Sequence, residues 1–293
     1  MSMLIGVDWG STSARAFAIG PDSAIVDARR ADDGVLLRGG DFAARLDALL
    51  GDWRERFAAA PILMCGMIGS DRGWVPAPYV AAPAGLDDLA HRLVAVPFAR
   101  PAWIVPGVSF VAGETAEVMR GEETLIIGLG ATHATVCLPG THAKWADVAD
   151  GRIVGFRTYM TGELRALLLA QGALATDAVQ ADCDDAFRAG LDAAREGATR
   201  ALFQARARRL LGRLAPEHTA AFASGVLIGE EVAREAGRVR GAADGAVALI
   251  AGGALAAHYG TALRGTGLTV LEHEPGVMAA RGLLAIARRA GLL

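Results

Sequence analysis

The sequence predicts an α/β fold in two halves, and three observations carry that expectation. Short apolar strands alternate along the chain with stretches of helical periodicity. A unit of strand, polar glycine-containing tip and strand occurs at the start and again after residue 134. The chain has 293 residues, 53% of them hydrophobic, enough for two well-filled cores. The boundary is expected near Arg120, giving domains over residues 1–119 and 120–293.

In chain order, residues 3–8 read as a strand that runs into the polar tip 9–13, with apolar character resuming at 14–19 as a hairpin. Helical periodicity follows over 42–57, and a strand at 61–64 enters the glycine-rich stretch 66–74. A strand at 103–105 ends at Pro106 and Gly107. In the second half, strands are expected at 124–127 and 135–138, the latter running into a tip over 139–145, with 153–158 returning. Helices are expected over 162–171, 185–214 and about 224–236. A strand at 246–251 then ends in Gly252 and Gly253 before a helix, and a final helix covers about 276–289.

Charged residues make up 21% of the chain and the net charge is −3, which argues against a nucleic-acid groove or a polybasic membrane surface. Small molecules are the expected partners. Cys65, Cys137 and Cys183 are widely spaced and form no CxxC, so they read as buried apolar residues in a reducing compartment. The start lacks a leader pattern and no uncharged apolar run reaches membrane-spanning length, so a soluble cytoplasmic protein is expected. Asparagine is absent and Lys144 is the single lysine, set against 28 arginines. A lysine kept under such a bias points to a site where a compact ammonium, not a planar fork, is required.

A strand ending in Asp8 and followed by Gly10, Ser11 and Thr12 offers a carboxylate beside backbone amides and hydroxyls. Such a tip can hold terminal phosphates and order the water shell of Mg²⁺, although an ordinary hairpin turn has the same composition. Gly140, Thr141 and His142 form a second tip of this kind. Gly252 and Gly253, between a strand and a helix, lack side chains that would block a flat ring. The arginines from Arg195 to Arg213 read as an exposed amphipathic helix face opposite Leu202, Phe203, Leu210 and Leu214. There is no GxxxxGK[ST], HExxH or GxSxG, and His133 stands where a GxGxxG would need its third glycine.

The ordered set Asp8 to Thr12, Gly66 to Ser70, Met119 to Thr124, Pro139 to Trp145, Thr161 to Glu163 and Ala251 to Gly253 resembles the 2-dehydro-3-deoxygalactonokinase family. The resemblance spans nearly the whole chain and is most specific from Met119 to Glu163. It implies two ribonuclease-H-like domains of the actin, sugar-kinase and Hsp70-like ATPase superfamily, with ATP in the interdomain cleft. The implied reaction is transfer of the ATP γ-phosphate to the 6-hydroxyl of 2-dehydro-3-deoxy-D-galactonate in galactonate breakdown. The alternatives are a kinase for another sugar or sugar acid, and a non-kinase actin-like ATPase.

Related sugar kinases carry a Gly-Asp pair at a helix start, the Asp being their general base. The matching place here holds Gly121, Glu122 and Glu123, which implies Glu122 as the base with Glu123 as the fallback. The resemblance further implies Mg²⁺ near Asp8, ATP phosphates at Gly10, Ser11 and Thr12 and at Gly140, Thr141 and His142, and adenosine at Gly252 and Gly253. Lys144 and His142 are expected to neutralise the transferred group or to meet the acid substrate, with a structural role as the alternative for either. The substrate carboxylate calls for a cation or an amide nest, for which Arg15, Arg72 and the amides of Gly69 and Ser70 are candidates. Trp74, Pro76, Pro78, Tyr79 and Pro83 form a stiff segment suited to walling a sugar pocket or to core packing.

Overall fold

A computed structural model describes residues 3–36, 40–241 and 245–293. The chain divides into two compact units, one built from residues 1–134, 146–156 and 274–293, the other from 135–145 and 157–273.

The first unit opens with β1 (Leu4–Trp9), β2 (Ala14–Ile19) and β3 (Ile25–Ala31), then α1 (Phe42–Leu50), α2 (Trp53–Arg56) and β4 (Ile62–Cys65). β1 and β2 pair antiparallel with Asp8 opposite Arg15, while β4 joins β1 in parallel with Cys65 beside Asp8. β1 and β4 are buried along almost their whole length, the continuous apolar reading of a central strand. The expected helix over 42–57 is two helices: α1 starts on an Asp41 cap that accepts from the Ala44 amide at 3.0 Å, and it stops at Gly51, whose φ is 49°.

There follow β5 (Tyr79–Ala81), β6 (Ala84–Gly85), α3 (Leu86–Ala90), β7 (Val94–Ala95), β8 (Ala102–Ile104), β9 (Gly107–Ala112), β10 (Thr115–Met119) and α4 (Glu122–Leu129). The main sheet runs β3-β2-β1-β4-β8-β7, and a separate three-stranded sheet runs β10-β9-β5. The strand expected at 124–127 is the middle of α4. Its apolar run is buried on several sides, a pattern that does not separate strand from buried helix, and Gly121 (φ 110°) with two acidic first-turn residues starts a helix there.

α4 lies against the chain's last helix, which spans Pro275–Arg289. A Cβ on Gly128 would overlap the Met278 carbonyl, and one on Gly282 would overlap the Thr124 carbonyl. That reciprocal glycine contact lets two backbones touch. The expected division after residue 119 is therefore not where the compact units separate, since 120–134 and the C-terminal helix belong with the first unit.

Between those helices come β11 (Ala134–Leu138), β12 (Ala143–Ala149), β13 (Arg152–Tyr159), α5 (Thr161–Gln171), α6 (Asp184–Ala193), α7 (Ala198–Leu210), α8 (Thr219–Arg240), β14 (Ala246–Ile250), α9 (Gly253–Gly265) and β15 (Thr269–His273), so the last helix is α10. In the second unit β14 pairs in parallel with both β11 and β15. In the first unit, Arg152 and Ile153 of β13 pair antiparallel with Gly85 and Ala84 of β6.

The second tip is shorter than expected. Ala143, Lys144 and Trp145 are buried strand residues of β12, which is the return strand, and 153–158 lies in the next strand. The expected helix over 185–214 breaks at Gly197, whose φ is 89°, and α7 buries only Ala201 and Ala205. Arg200 faces outward on Glu196, but Arg208 lies over the buried Phe222 ring and Arg209 donates to the Leu174 and Ala175 carbonyls, while Phe203 and Leu210 are exposed. α6 and α8 cross where Gly190 and Gly225 sit against the Phe222 and Phe187 carbonyls. Cys65 and Cys137 are buried as expected, whereas Cys183 is half-buried; all three are free thiols. Among the described residues no helix is long and apolar enough to cross a membrane.

Candidate active site

In the first unit, the β1–β2 hairpin, the turn after β4 and the start of α4 converge. Arg15 Nη2 donates to Asp8 Oδ2 at 2.5 Å, fixed by their cross-strand register. At the hairpin tip the Gly10 amide donates to the Ser13 carbonyl, and the Gly10 and Ser11 carbonyls accept from the Val35 and Leu36 amides at 3.0 and 3.1 Å. The tip is thereby held by its oxygens. Gly66 has φ 94°, and a Cβ there would lie 2.7 Å from the Trp9 carbonyl and 3.4 Å from Asp8 Oδ1. Gly121, at φ 110°, brings a Cβ position within 3.1 Å of Gly66 Cα. Only glycine satisfies both backbone angle and space at these two turns.

The two candidate bases differ sharply. Glu123 has no exposed surface; its carboxylate accepts from the Gly121 amide at 2.6 Å and the Thr124 hydroxyl at 3.0 Å. Burial, with repulsion from Glu122 added, pushes its pKa up to about 7. Glu122 is half-buried, and its Oε2 accepts from the Arg120 amide at 3.0 Å. Cys65 lies near Asp8, Glu123 and Thr124; burial and those two carboxylates push its thiol pKa well up, which makes it an inert neighbour.

The substrate candidates part company. Gly69 is buried and its amide donates to the Gly66 carbonyl at 3.2 Å, and the Ser70 amide donates to the Met67 carbonyl at 3.0 Å. Their amides therefore do not form an open nest. Arg72 is exposed on the following turn. Trp74 packs edge-on to Phe98, so that part of the stiff segment is core, while Tyr79 lies under the Arg120 guanidinium with 4.3 Å from Cζ to ring centroid.

In the second unit, Gly140, Thr141 and His142 form the exposed β11–β12 tip. His142 Nε2 and Glu163 Oε2 are 2.5 Å apart, and the Glu163 amide donates to the Thr141 carbonyl at 3.0 Å. Gly162 fits against the Gly140 carbonyl, where a side chain would overlap it. The Thr161 hydroxyl donates to buried Glu231, which also accepts from Trp145 Nε1 and Tyr259 OH, each at 2.8 Å. Thr161, Gly162 and Glu163 thus buckle the tip to the core. Lys144 is 4% exposed and donates to the His142 carbonyl at 3.3 Å, supporting the tip from beneath.

Gly252 and Gly253 open α9 on the surface, and Gly253 has φ 56°, a left-handed conformation suited to glycine. Beside the first turns of α9 is a cavity of about 110 Å³ lined by Asp182, Asp184, Phe187, Ala254, Ala257 and His258. A larger one of about 420 Å³ in the first unit, by Arg29, Arg30 and Arg45, contains none of the expected site residues. Those arginines are paired with Asp52, Asp32 and Asp33 respectively. Sequence reasoning missed the Arg120–Tyr79 stack and the Glu231 hub. Only contacts across dozens of residues reveal either, although Arg120 does adjoin the Gly-Glu-Glu motif.

The family model described as 2-keto-3-deoxy-galactonokinase matches residues 8–286. The 2-dehydro-3-deoxygalactonokinase of Escherichia coli (strain K12) is 38% identical over 272 residues, covering 91% of each chain. A relative of Rhizobium meliloti (strain 1021) named for the same kinase is 38% identical over 96% of this chain and 95% of its own. A crystal structure from Sinorhizobium meliloti assigned to that kinase superposes with a TM-score of 0.85 at 36% identity, covering 99% of this chain and 100% of that one. The α/β fold is also that of the activator of 2-hydroxyisocaproyl-CoA dehydratase from Clostridium difficile, solved with bound ADPNP, at a TM-score of 0.54 and 13% identity over 99% of this chain and 96% of that one. The match along nearly its whole length makes this chain a member of the 2-keto-3-deoxy-galactonokinase family.

Proposed function

We propose that the protein transfers the γ-phosphate of ATP to the 6-hydroxyl of 2-dehydro-3-deoxy-D-galactonate, with Glu122 as general base. The observation that carries the choice of base is the contrast between adjacent carboxylates: Glu123 is sealed, whereas Glu122 is half-buried with one oxygen on the Arg120 amide. A base must reach the hydroxyl it deprotonates. Glu122 takes that proton as the hydroxyl oxygen forms its bond to the γ-phosphorus and the bond to the ADP oxygen breaks in line. Glu123 holds the Gly121 turn through its amide and acts as a positioning residue.

Gly10, Ser11 and Thr12 contact phosphate through their hairpin, as do Gly140, Thr141 and His142, with adenosine at Gly252 and Gly253. Engagement of the first tip's carbonyls by Val35 and Leu36 supports its role, because it fixes the turn without using the amides of Ser11 and Thr12. Asp8 suits a Mg²⁺ that keeps most of its water, since one carboxylate plus phosphates is enough for that ion and Gly66 leaves space at Oδ1. When bound, the ion would offset charge on the transferred phosphoryl group. Arg15 is the cation that holds Asp8 in place. The three free thiols fit a reducing cytoplasm.

Purified protein incubated with ATP, Mg²⁺ and a panel of 2-dehydro-3-deoxy sugar acids tests this reading. ADP release with a mono-phosphorylated product from the galactonate derivative, and the highest kcat/KM for it, is expected. ADP release without phosphorylated acid would contradict the kinase reading, and a higher kcat/KM for another acid would reassign the substrate.

A further inference from the structure

We propose that Arg120, with the hydroxyl of Ser70, receives the carboxylate of the sugar-acid substrate. This rests on the kinase reading above and names a determinant of its substrate class. Arg120 Nη2 donates to the Ala77 carbonyl at 2.7 Å, and the guanidinium plane lies over the Tyr79 ring. Nη1 sits 3.0 Å from where a Cβ on Gly69 would be, so the missing side chain makes room for it against the turn. The Ala77 carbonyl and the Gly69 turn hold the group in place, and the Tyr79 ring covers its face.

Its remaining N–H groups are unused. Nε and Nη1 are buried without an acceptor among the described residues, and so is the hydroxyl oxygen of Ser70, the residue following Gly69. A buried guanidinium with unmet donors is unfavourable in the free protein and becomes favourable when an anion meets it. A planar guanidinium matches a carboxylate in geometry as well as charge. The other cations proposed for this task are less suited, Arg15 being bonded to Asp8 and Arg72 lying on the surface.

Arg100 also has buried Nε and Nη1 without acceptors among the described residues, but its Nη2 bridges the Phe57 and Ala60 carbonyls, which precede β4, whereas the site turn follows that strand. Arg120 instead donates its own amide to Glu122. A carboxylate anchored on it places one end of the substrate by the residue that carries the base. Both donor sets are covered in this structure, so substrate entry displaces the Tyr79 ring, which is 42% exposed.

The test is binding without ATP, measured by calorimetry and by shift in melting temperature. The two ligands are 2-dehydro-3-deoxygalactonate and its analogue with hydroxymethyl in place of carboxylate. Arg120→Met should weaken the acid roughly 30-fold or more while moving the analogue less than about 3-fold. It should also abolish the acid's thermal shift without lowering the melting temperature of the free protein. Arg120→Lys and Ser70→Ala should each weaken the acid selectively by a smaller factor, and they serve if the methionine variant misfolds. Equal weakening of both ligands, or unchanged acid binding, would overturn the proposal. Wild-type protein that binds the acid yet forms no phosphorylated product would overturn the kinase reading alone.

Discussion

Glu123 makes a prediction separable from catalysis. Its carboxyl titrates ordinarily at 4.5 and in the folded protein at about 7, so the unfolded chain releases its proton first. Stability therefore falls as pH rises from 4.5 to about 7 and stays lower above that, by about 3 kcal/mol for a shift of this size. Glu123→Gln keeps an acceptor for the Gly121 amide and removes the titration. Urea unfolding across that range should show the wild-type slope lost in the variant. An identical slope in both proteins would mean that this carboxyl is not the group responsible.

At the scale of elements, the second hairpin depends on the start of α5. A methyl at residue 162 would overlap the Gly140 carbonyl, so Gly162→Ala must move the tip or the helix. Strain of this kind costs about 1–3 kcal/mol. KM for ATP should rise about 10-fold with a modest fall in melting temperature, and an unchanged KM would free the tip from any role in nucleotide binding. Glu163→Gln should raise KM less, since it keeps a partner for His142 but loses the charge. The α4–α10 crossing gives a contrasting case. Gly282→Ala would drive a methyl into the Thr124 carbonyl and should destabilise the first unit by roughly 2 kcal/mol or more while displacing α4. Equilibrium unfolding of that variant measures the loss directly, and wild-type stability would show that the crossing is not close-packed.

For the molecule as a whole, the α/β class, the first hairpin and the order of the motifs were legible in the sequence, because apolar runs and glycine turns are local signals. Other features needed tertiary context. Residues 124–127 are buried or half-buried throughout, so periodicity carried no information there, and Gly121 decided for helix. Lys144 read as a tip residue from its place in the polar run 139–145, yet it is 4% exposed on a strand. The units separate away from residue 119 because a glycine-mediated helix contact ties α4 to the far end of the chain. Of the site, Asp8, Gly66, Glu122 and Glu123 were visible as motifs and are brought together, whereas the spent charge of Arg15 and the unspent one of Arg120 follow only from their partners. Asp8→Ala should raise the Mg²⁺ concentration needed for half-maximal activity, and an unaltered Mg²⁺ titration would remove the metal role from that residue.

The central claim is that Glu122 takes the proton during phosphoryl transfer. The direct measurement is the single-turnover rate of transfer from γ-labelled ATP to the sugar acid in wild type, Glu122→Gln and Glu123→Gln. A loss of about 10²–10⁴-fold in Glu122→Gln, with ATP affinity unchanged and Glu123→Gln retaining much of the rate, is the predicted result. Transfer at the wild-type rate in Glu122→Gln would contradict it.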